Sequence, residues 1–170
     1  MISVVGGEST GKSTLAAALG RRLPGLVVPE YLRAWVEQRG RVPQATEQAA
    51  VMAAHHAAEH AALLRAQHAG LRWVVSDSGP LMTAVYSIQY YDDSSLLAQA
   101  VEWTVDNAQV VWCQDDFHWQ PDPQRDGVQA RTTSQEILAE VFAEHPELPV
   151  LRAGGPFEER VDTVLAHLLG

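Results

Sequence analysis

The feature that most restricts the fold of this chain is an alternation of short apolar runs with longer segments of helical pattern. Five runs, rich in valine or isoleucine and bounded by Gly, Pro or Asp, have the character of strands buried on both faces: Ile2–Val5, Leu26–Val28, Leu71–Ser76, Gln109–Cys113 and Pro149–Arg152. Helices are predicted over Lys12–Arg22, Glu30–Arg39, Ala45–Ala69, Leu81–Tyr90, Ser94–Asn107, Ser134–Glu144 and Phe157–Leu169. Strands that alternate with helices favour right-handed βαβ crossovers. We therefore expect an α/β fold with a parallel sheet of about five strands and helices on both faces.

One segment departs from this alternation. Residues 114–133 are polar, contain Pro121 and Pro123, and follow an apolar strand where a helix would be expected. A long irregular segment inside a compact domain is usually a functional loop. The whole chain of 170 residues has the length of one domain. We therefore interpret residues 1–170 as a single domain that carries a lid over residues 114–133.

A glycine-rich motif follows the first predicted strand. The residues from Gly6 to Ser13 read GGESTGKS and match G-x-x-x-x-G-K-S/T, the P-loop pattern. Its glycines let successive backbone N–H groups point at a phosphate, its lysine reaches the β- and γ-phosphates, and its final hydroxyl binds Mg²⁺. We therefore expect a P-loop NTPase fold that binds Mg²⁺ and a nucleoside triphosphate, which we take to be ATP although the motif itself does not distinguish ATP from GTP. The residues expected at the nucleotide are Gly6, Gly7, Glu8, Ser9, Thr10, Gly11, Lys12, Ser13 and Thr14.

The distribution of charge supports this interpretation. Lys12 is the only lysine in the chain, against eleven arginines, and it occupies the position where the motif uses a compact charge. Acidic residues outnumber basic ones by 21 to 12, which gives a net charge of −9. Nucleic-acid binding and docking to anionic membranes both depend on basic patches, so neither partner is expected. The sequence does not determine the oligomeric state.

Other features exclude further classes of protein. Cys113 is the only cysteine, so an intrachain disulfide is impossible. The N-terminus lacks a signal-peptide pattern, and no run approaches the roughly 18 apolar residues of a membrane helix, so we expect a cytoplasmic protein. The histidines His55, His56 and His60 lie among alanines in the middle of a predicted helix. We interpret them as a half-exposed helix face rather than a metal site.

Carboxylates follow two of the predicted strands, at the sheet edge where parallel α/β folds bind their ligands. Asp77 ends the apolar segment LRWVVSD. An aspartate at the end of an apolar strand is typical of the acid that reaches Mg²⁺ directly or through water. Glu30 follows LVVP, and a carboxylate there can take a proton from a substrate hydroxyl. The alternatives are a helix N-cap for Asp77 and a charge that favours the helix dipole for Glu30. Ser13 and Asp77 are thus the candidate metal ligands, and either carboxylate remains a candidate base.

The irregular segment supplies candidate charges for phosphoryl transfer. Arg125 and Arg131 on a closing lid would exclude water and stabilise the transferred group; the alternative is a pair of solvated charges. A planar substrate ring would also find aromatic side chains to stack on. The candidates for stacking are Tyr31, Trp35, Tyr86, Tyr90, Tyr91 and Trp119.

Four segments of the chain together match one pattern: GGESTGKSTL, VVPEYLR, VVSDSGPLMTAVYS, and a lid with tryptophan, aspartate and arginine. In this combination the chain resembles the ribosylnicotinamide kinase domain of the NadR family over nearly its whole length. The family's lid signature, W-x-x-D-G-x-R, is met by Trp119, Asp122 and Arg125, with Pro123 in place of the glycine. The resemblance implies a P-loop kinase that phosphorylates nicotinamide riboside.

The resemblance also implies roles for individual residues. Gly155, in a G-x-x-x-x-R turn that ends at Arg160, would border the adenine of the nucleotide. The residues implied on the substrate side are Glu30, Tyr31, Arg33, Asp77, Tyr86, Trp119 and Asp122.

We therefore predict an ATP-dependent kinase for a hydroxyl of a small nucleoside-like molecule. Its expected catalytic residues are Lys12, Glu30, Asp77, Arg125 and Arg131. One alternative is the same chemistry on another nucleoside or on a nucleotide. Another is a regulatory module that binds ATP or GTP and has no small-molecule kinase activity. A base on the acceptor side separates these classes, because a nucleotide sensor has no use for one.

Overall fold

The computed structural model describes residues 1–116 and 127–170. The strands of this part are β1 (Ile2–Val5), β2 (Gly25–Val28), β3 (Trp73–Asp77), β4 (Gln109–Cys113) and β5 (Val150–Ala153). Its helices are α1 (Lys12–Arg22), α2 (Tyr31–Arg39), α3 (Ala45–His68), α4 (Gly79–Tyr91), α5 (Leu97–Asn107), α6 (Val128–Glu144) and α7 (Phe157–Leu169). The strands form one five-stranded sheet in the order β2-β3-β1-β4-β5, and neighbouring strands run parallel. The predicted α/β fold with a parallel sheet is confirmed.

The central strand β1 shows why helices cover both faces of the sheet. Successive side chains of a strand point to opposite faces. Val4 accordingly packs in a core cluster with Leu19 of α1, whereas Val5 packs in another cluster with Leu81 of α4 and Leu138 of α6. These side chains are buried almost completely, and each burial stabilises the fold by about 1.5–3 kcal/mol. A strand of this kind has no polar face, as its apolar sequence predicts.

The strand order places the candidate site at the carboxyl end of β1. From β1 the chain crosses to β2 and β3 on one side of the sheet, and it then passes to β4 and β5 on the other side. Ligands of open α/β sheets bind at the crevice where the strand order switches in this way. The loop that leaves β1 at Gly6 lies at this switch point.

Helix α6 differs most from the sequence-based prediction. It begins at Val128 rather than at Ser134, after Gly127 at a φ of +99°, so residues 128–133 are helical and not part of an irregular lid. The side chains of Arg131 and Ser134 are buried within this helix. Because these residues are polar, the sequence did not predict that one face of this helical segment packs against the rest of the domain. No helix in the described ranges is long and apolar enough to cross a bilayer.

Candidate active site

The loop between β1 and α1 adopts a backbone that only glycine tolerates at two points. Gly6 has a φ of +148° and Gly11, the N-cap residue of α1, a φ of +83°, in the region that side chains disfavour. A Cβ atom on Gly6 would also lie 2.8 Å from Thr10 Oγ1 and 2.9 Å from the carbonyl oxygen of Cys113. Both glycines of the motif are therefore required by the shape of the loop.

The side chain of Lys12 is turned back onto this loop. Its Nζ donates to the carbonyl oxygen of Gly7 at 2.9 Å, and Thr10 Oγ1 donates to the same oxygen at 2.8 Å. Lys12 is only 8% exposed, although lysine is rarely buried. The ammonium group of the only lysine in the chain is thus held against the loop that the motif assigns to phosphates.

Gln135 of α6 supports the loop from the side, and sequence reasoning missed it. Its Oε1 accepts hydrogen bonds from the backbone N–H of Gly7 at 3.2 Å and from Trp112 Nε1 at 2.8 Å. Its Nε2 donates to the carbonyl oxygen of Cys113 at 2.9 Å. One buried amide therefore joins α6, the end of β4 and the P-loop. A glutamine in an amphipathic helix carries no local signal of such a role.

Arg160 of α7 supports the other side of the loop. The guanidinium donates to the carbonyl oxygens of Thr10 at 3.1 Å and Gly155 at 2.9 Å, and it also pairs with Asp116. Arg160 is 1% exposed, so these contacts offset the cost of burying its charge. Gly155 is thereby tied to the nucleotide loop, with a φ of +83° that favours glycine. The G-x-x-x-x-R spacing was the sequence signal for this pair.

Asp77 ends β3 beside the end of β1, where it pairs in register with Val4. The chain turns sharply at the next residue, Ser78, which has a φ of +78° and donates its backbone N–H to the carbonyl oxygen of Val4 at 2.9 Å. Ser78, and not Asp77, is the N-cap residue of α4. The carboxylate of Asp77 is therefore not used as a helix cap.

A cavity of about 710 Å³ opens beside the loop and extends to α2, α3 and α4. From the nucleotide side it is lined by Glu8, Ser9, Thr10, Gly11, Lys12, Ser13 and Thr14. From the other side it is lined by Glu30, Leu32, Arg33, Val36, Glu37, Val42, Pro43, Gln48, Tyr86, Tyr90 and Tyr91. Among the described residues predicted for the site, those that do not line the cavity are Gly6, Gly7, Tyr31, Trp35, Asp77, Arg131 and Gly155. One space thus connects the P-loop with Glu30.

Acidic and aromatic groups lie at the far end of this cavity, beside aliphatic side chains. Glu30 is the N-cap residue of α2, and its Oε2 lies 3.7 Å from Nη2 of Arg33. Burial raises the pKa of the Tyr86 hydroxyl well above its ordinary value, and the negative charges of Glu30 and Glu8 raise it further. Tyr86 therefore stays protonated beside these carboxylates. Its ring lies 6.3 Å from that of Tyr90 and is inclined to it by 44°, so the two rings contact each other at the cavity wall.

The rim of the cavity between α2 and α3 is tied down by several contacts. Pro43 offers its carbonyl oxygen to the hydroxyl of Tyr91 and to Nε2 of Gln48. Arg41 forms a bidentate pair with Glu47 at 2.7 and 2.8 Å. This pairing, together with a hydrogen bond from the backbone N–H of Gln44, lowers the pKa of the half-buried Glu47 carboxyl to about 2. These contacts hold the rim of the cavity in place.

The lid residues predicted from the sequence divide into two groups. Trp119, Asp122 and Arg125 lie outside the described residues. Arg131 is 8% exposed on α6 and lies against the P-loop, since a Cβ atom on Gly7 would come within 2.6 Å of its carbonyl oxygen. Arg131 is therefore neither a solvated surface charge nor part of an irregular segment.

The histidines of α3 are not equivalent. His55 is 2% exposed, so the expectation of a half-exposed histidine face is wrong for this residue. Burial lowers the pKa of His55 to about 4, helped by the neighbouring charge of His56. The ring of His56 stacks on Trp103 at 4.0 Å. Within residues 1–116 and 127–170, no group of three or more His, Cys, Asp or Glu side chains is arranged to hold a metal ion.

Comparison with known proteins adds a family and a set of similar folds. A family model described as an AAA domain matches residues 1–160. A comparison with curated protein sequences finds no significant match. Because the family model matches nearly the entire chain, it bears on the whole domain rather than on the P-loop alone.

Several solved structures share the fold at low sequence identity. NadR in complex with NR matches with a TM-score of 0.76 and 19% identity, over 99% of this chain and 50% of that chain. Thymidylate kinase from Ehrlichia chaffeensis matches with a TM-score of 0.68 and 14% identity, over 98% of this chain and 97% of its own. Deoxyadenosine kinase from M. mycoides, with the products dCMP and dCDP, matches with a TM-score of 0.64 and 13% identity, over 98% and 97%. The resemblance to NadR is confirmed at the level of the fold, and this chain spans half of that protein.

Proposed function

The chain belongs to the AAA domain family, and from that premise we propose that it transfers the γ-phosphoryl group of ATP to a hydroxyl group of a nucleoside-like acceptor. One observation carries the proposal: a single cavity is lined by the P-loop at one end and by the Glu30 carboxylate at the other. A module that only binds nucleotide has no need for a carboxylate facing the same cavity as its P-loop. Two of the solved structures that share the fold are a thymidylate kinase and a deoxyadenosine kinase, which supports the proposal.

On the nucleotide side, Lys12 and the loop N–H groups would hold the β- and γ-phosphates. The Lys12 ammonium donates to the carbonyl oxygen of Gly7 within the loop, and it would exchange that oxygen for a phosphate oxygen when the nucleotide binds. Ser13 and Asp77 offer a hydroxyl and a carboxylate, an oxygen donor set that fits Mg²⁺ with several retained waters. When bound, Mg²⁺ would offset negative charge on the phosphates.

On the acceptor side, we assign the proton-accepting role to Glu30. Its carboxylate lines the cavity, whereas Asp77 does not, which favours Glu30 between the two candidates. Glu30 would accept a hydrogen bond from the acceptor hydroxyl, orient its oxygen towards the γ-phosphorus, and take its proton as the new O–P bond forms and ADP leaves. Arg33, whose Nη2 lies 3.7 Å from this carboxylate, would help to align it.

The acceptor that we propose first is nicotinamide riboside. The acceptor end of the cavity carries the carboxylates of Glu30 and Glu37 together with tyrosine rings, and Glu8 adds a further carboxylate from the P-loop. The guanidinium of Arg33, which also lines this end, lies 3.7 Å from the Glu30 carboxylate. Such a wall suits a ribosyl hydroxyl attached to a cationic aromatic ring, and it repels an acceptor that already bears a phosphate. Trp119 and Asp122 would contribute to the same ring and Arg125 to the transferred phosphoryl group, as the lid motif implies.

The test is release of ADP from ATP-Mg²⁺ in the presence of a panel of nucleosides that includes nicotinamide riboside. We expect Glu30→Gln to lower kcat by about 100-fold or more, because a general base contributes about that much, while ATP affinity is retained. Glu102→Gln, an exposed carboxylate on α5, is the matched control and should leave kcat unchanged. A protein that binds ATP but releases no ADP with any acceptor would instead support the regulatory module.

A further inference from the structure

A chain of buried hydrogen bonds runs through the interior behind the cavity. The backbone N–H of Tyr31 donates to Nδ1 of His55 at 3.4 Å. On the other side of the ring, Nε2 of His55 lies 3.0 Å from Oγ of Ser76, whose hydroxyl donates to Oε1 of Glu59 at 2.5 Å. His55, Ser76 and Glu59 are each at most 2% exposed. We call these four groups the His55 network.

The direction of every proton in the His55 network follows from one group. A backbone N–H can only donate, so Nδ1 of His55 must be the acceptor from Tyr31. The neutral ring then carries its proton on Nε2 and donates it to Ser76 Oγ, which directs the Ser76 proton to Glu59. If the ring were doubly protonated, the N–H at Nδ1 would face the N–H of Tyr31, and neither group could accept a hydrogen bond. The low pKa of His55, about 4, agrees with a neutral ring.

The His55 network ends beside the candidate base. Tyr31 is the first residue of α2, and its N–H is one of the helix-start donors that have no partner within the helix. Glu30 precedes it as the N-cap residue, and its own side chain makes no capping hydrogen bond. The bond from Tyr31 to His55 therefore anchors the turn from which the Glu30 carboxylate enters the cavity.

We propose that His55 is a positioning residue for Glu30, which it holds through the Tyr31 N–H in the geometry that activates the acceptor hydroxyl. The proposal rests on the proposed function, since it concerns the base of that reaction. His55 does not line the cavity, so its effect reaches the reaction only through the backbone of residues 30 and 31. A displacement of a reacting group by about 1 Å can cost a hundredfold in rate, so a single anchoring bond has a measurable effect.

Two substitutions of His55 separate the two sides of the ring. Asparagine places an accepting oxygen near the Nδ1 position, whereas glutamine places a donating nitrogen near the Nε2 position. We expect H55N to keep kcat within about threefold of wild type and H55Q to lower it about 10-fold to 100-fold. ATP affinity should be retained in both. H60Q, the same exchange at an exposed position of α3, is the matched control.

A second pair of variants tests the N–H itself. Proline at residue 31 removes the donor, and both the first position of a helix and the ψ of +113° at Glu30 are compatible with proline. Tyr31→Ala removes the same side chain and keeps the N–H. We expect Tyr31→Pro to have a kcat about tenfold below that of Tyr31→Ala, because only the proline variant loses the hydrogen bond from the residue 31 N–H to His55.

A double-mutant cycle with Glu30→Gln identifies the residue through which His55 acts. If His55 acts through Glu30, H55Q should lower kcat in the wild-type background and have no further effect in the Glu30→Gln background. A purely structural role would lower kcat by the same factor in both backgrounds and would overturn the proposal. Equal kcat values for H55N and H55Q would also overturn it. A wild-type protein that phosphorylates no acceptor would overturn both the proposed function and this inference. Because the wild-type assay is done first, failure of the proposed function is distinguished from failure of the role of His55 alone.

Discussion

Replacing Gln135 with methionine tests whether α6 holds the P-loop in place. Methionine is unbranched and of similar length, but it lacks the amide. The exchange would leave the Gly7 N–H, the Trp112 Nε1–H and the Cys113 carbonyl oxygen without the hydrogen bonds of 2.8–3.2 Å that they form with Gln135. These contacts join a loop near the N-terminus to a helix 128 residues later in the chain.

The expected loss follows from these three bonds. A buried polar group left without a partner costs about 1–3 kcal/mol. Methionine avoids the desolvation of the glutamine amide and buries more apolar surface, which offsets part of the combined cost of the three unpaired groups. We therefore expect the free energy of unfolding to fall by about 3 kcal/mol, and Tm to fall by roughly 6–12 °C in a domain of this size.

The assay is urea unfolding followed by tryptophan fluorescence and far-UV circular dichroism, with ATP affinity measured on the folded variant. Gln129→Met is the matched control, because Gln129 is exposed on the same helix and its exchange should change stability by at most about 0.5 kcal/mol. We expect ATP affinity of Gln135→Met to fall about threefold to tenfold, since binding must then order the loop. A stability loss below about 1 kcal/mol, or one equal to that of the control, would refute the reasoning.

Three further predictions address the loop and the buried histidine. Lys12→Ala should weaken ATP binding about 10-fold to 100-fold in calorimetric titration, because a charge-assisted contact to phosphate is lost; wild-type affinity would contradict the site. Gly7→Ala should destabilise the domain by about 1–3 kcal/mol in thermal unfolding, since its Cβ would lie 2.6 Å from the Arg131 carbonyl oxygen; an unchanged Tm would contradict this close approach. The pKa of His55 is lowered to about 4, so the stability that its neutral form contributes is present above pH 6.5 and is lost as the pH falls towards 4. Relative to H55N, wild type should lose up to about 3 kcal/mol over that range, and a constant difference would show that His55 does not titrate there.

The secondary structure was largely predictable from the sequence because the signals are local. The predicted bounds of β1, β4, α1 and α7 agree with the structure. Apolar runs bounded by turn residues are typical of strands buried on both faces, and the periodicity of a helix is a property of adjacent residues. The P-loop was predictable for the same reason, because the positive φ angles of Gly6 and Gly11 are required by the loop in which the two glycines lie.

The partners that support the site were not predictable in the same way. Gln135, His55 and Arg131 have polar side chains whose burial depends on segments far away in the chain. Sequence periodicity places such residues on a helix face, but it does not state what that face contacts.

The sequence by itself determined the fold class, the nucleotide loop and the candidacy of Glu30 and Asp77. The tertiary structure alone decided that Glu30, and not Asp77, lines the cavity with the P-loop, and that Arg131 lies buried on a helix. The physical reason is that patterns of adjacent residues reflect short-range backbone and burial preferences. Which side chains share a cavity depends on the order of the strands and on how the helices pack across them.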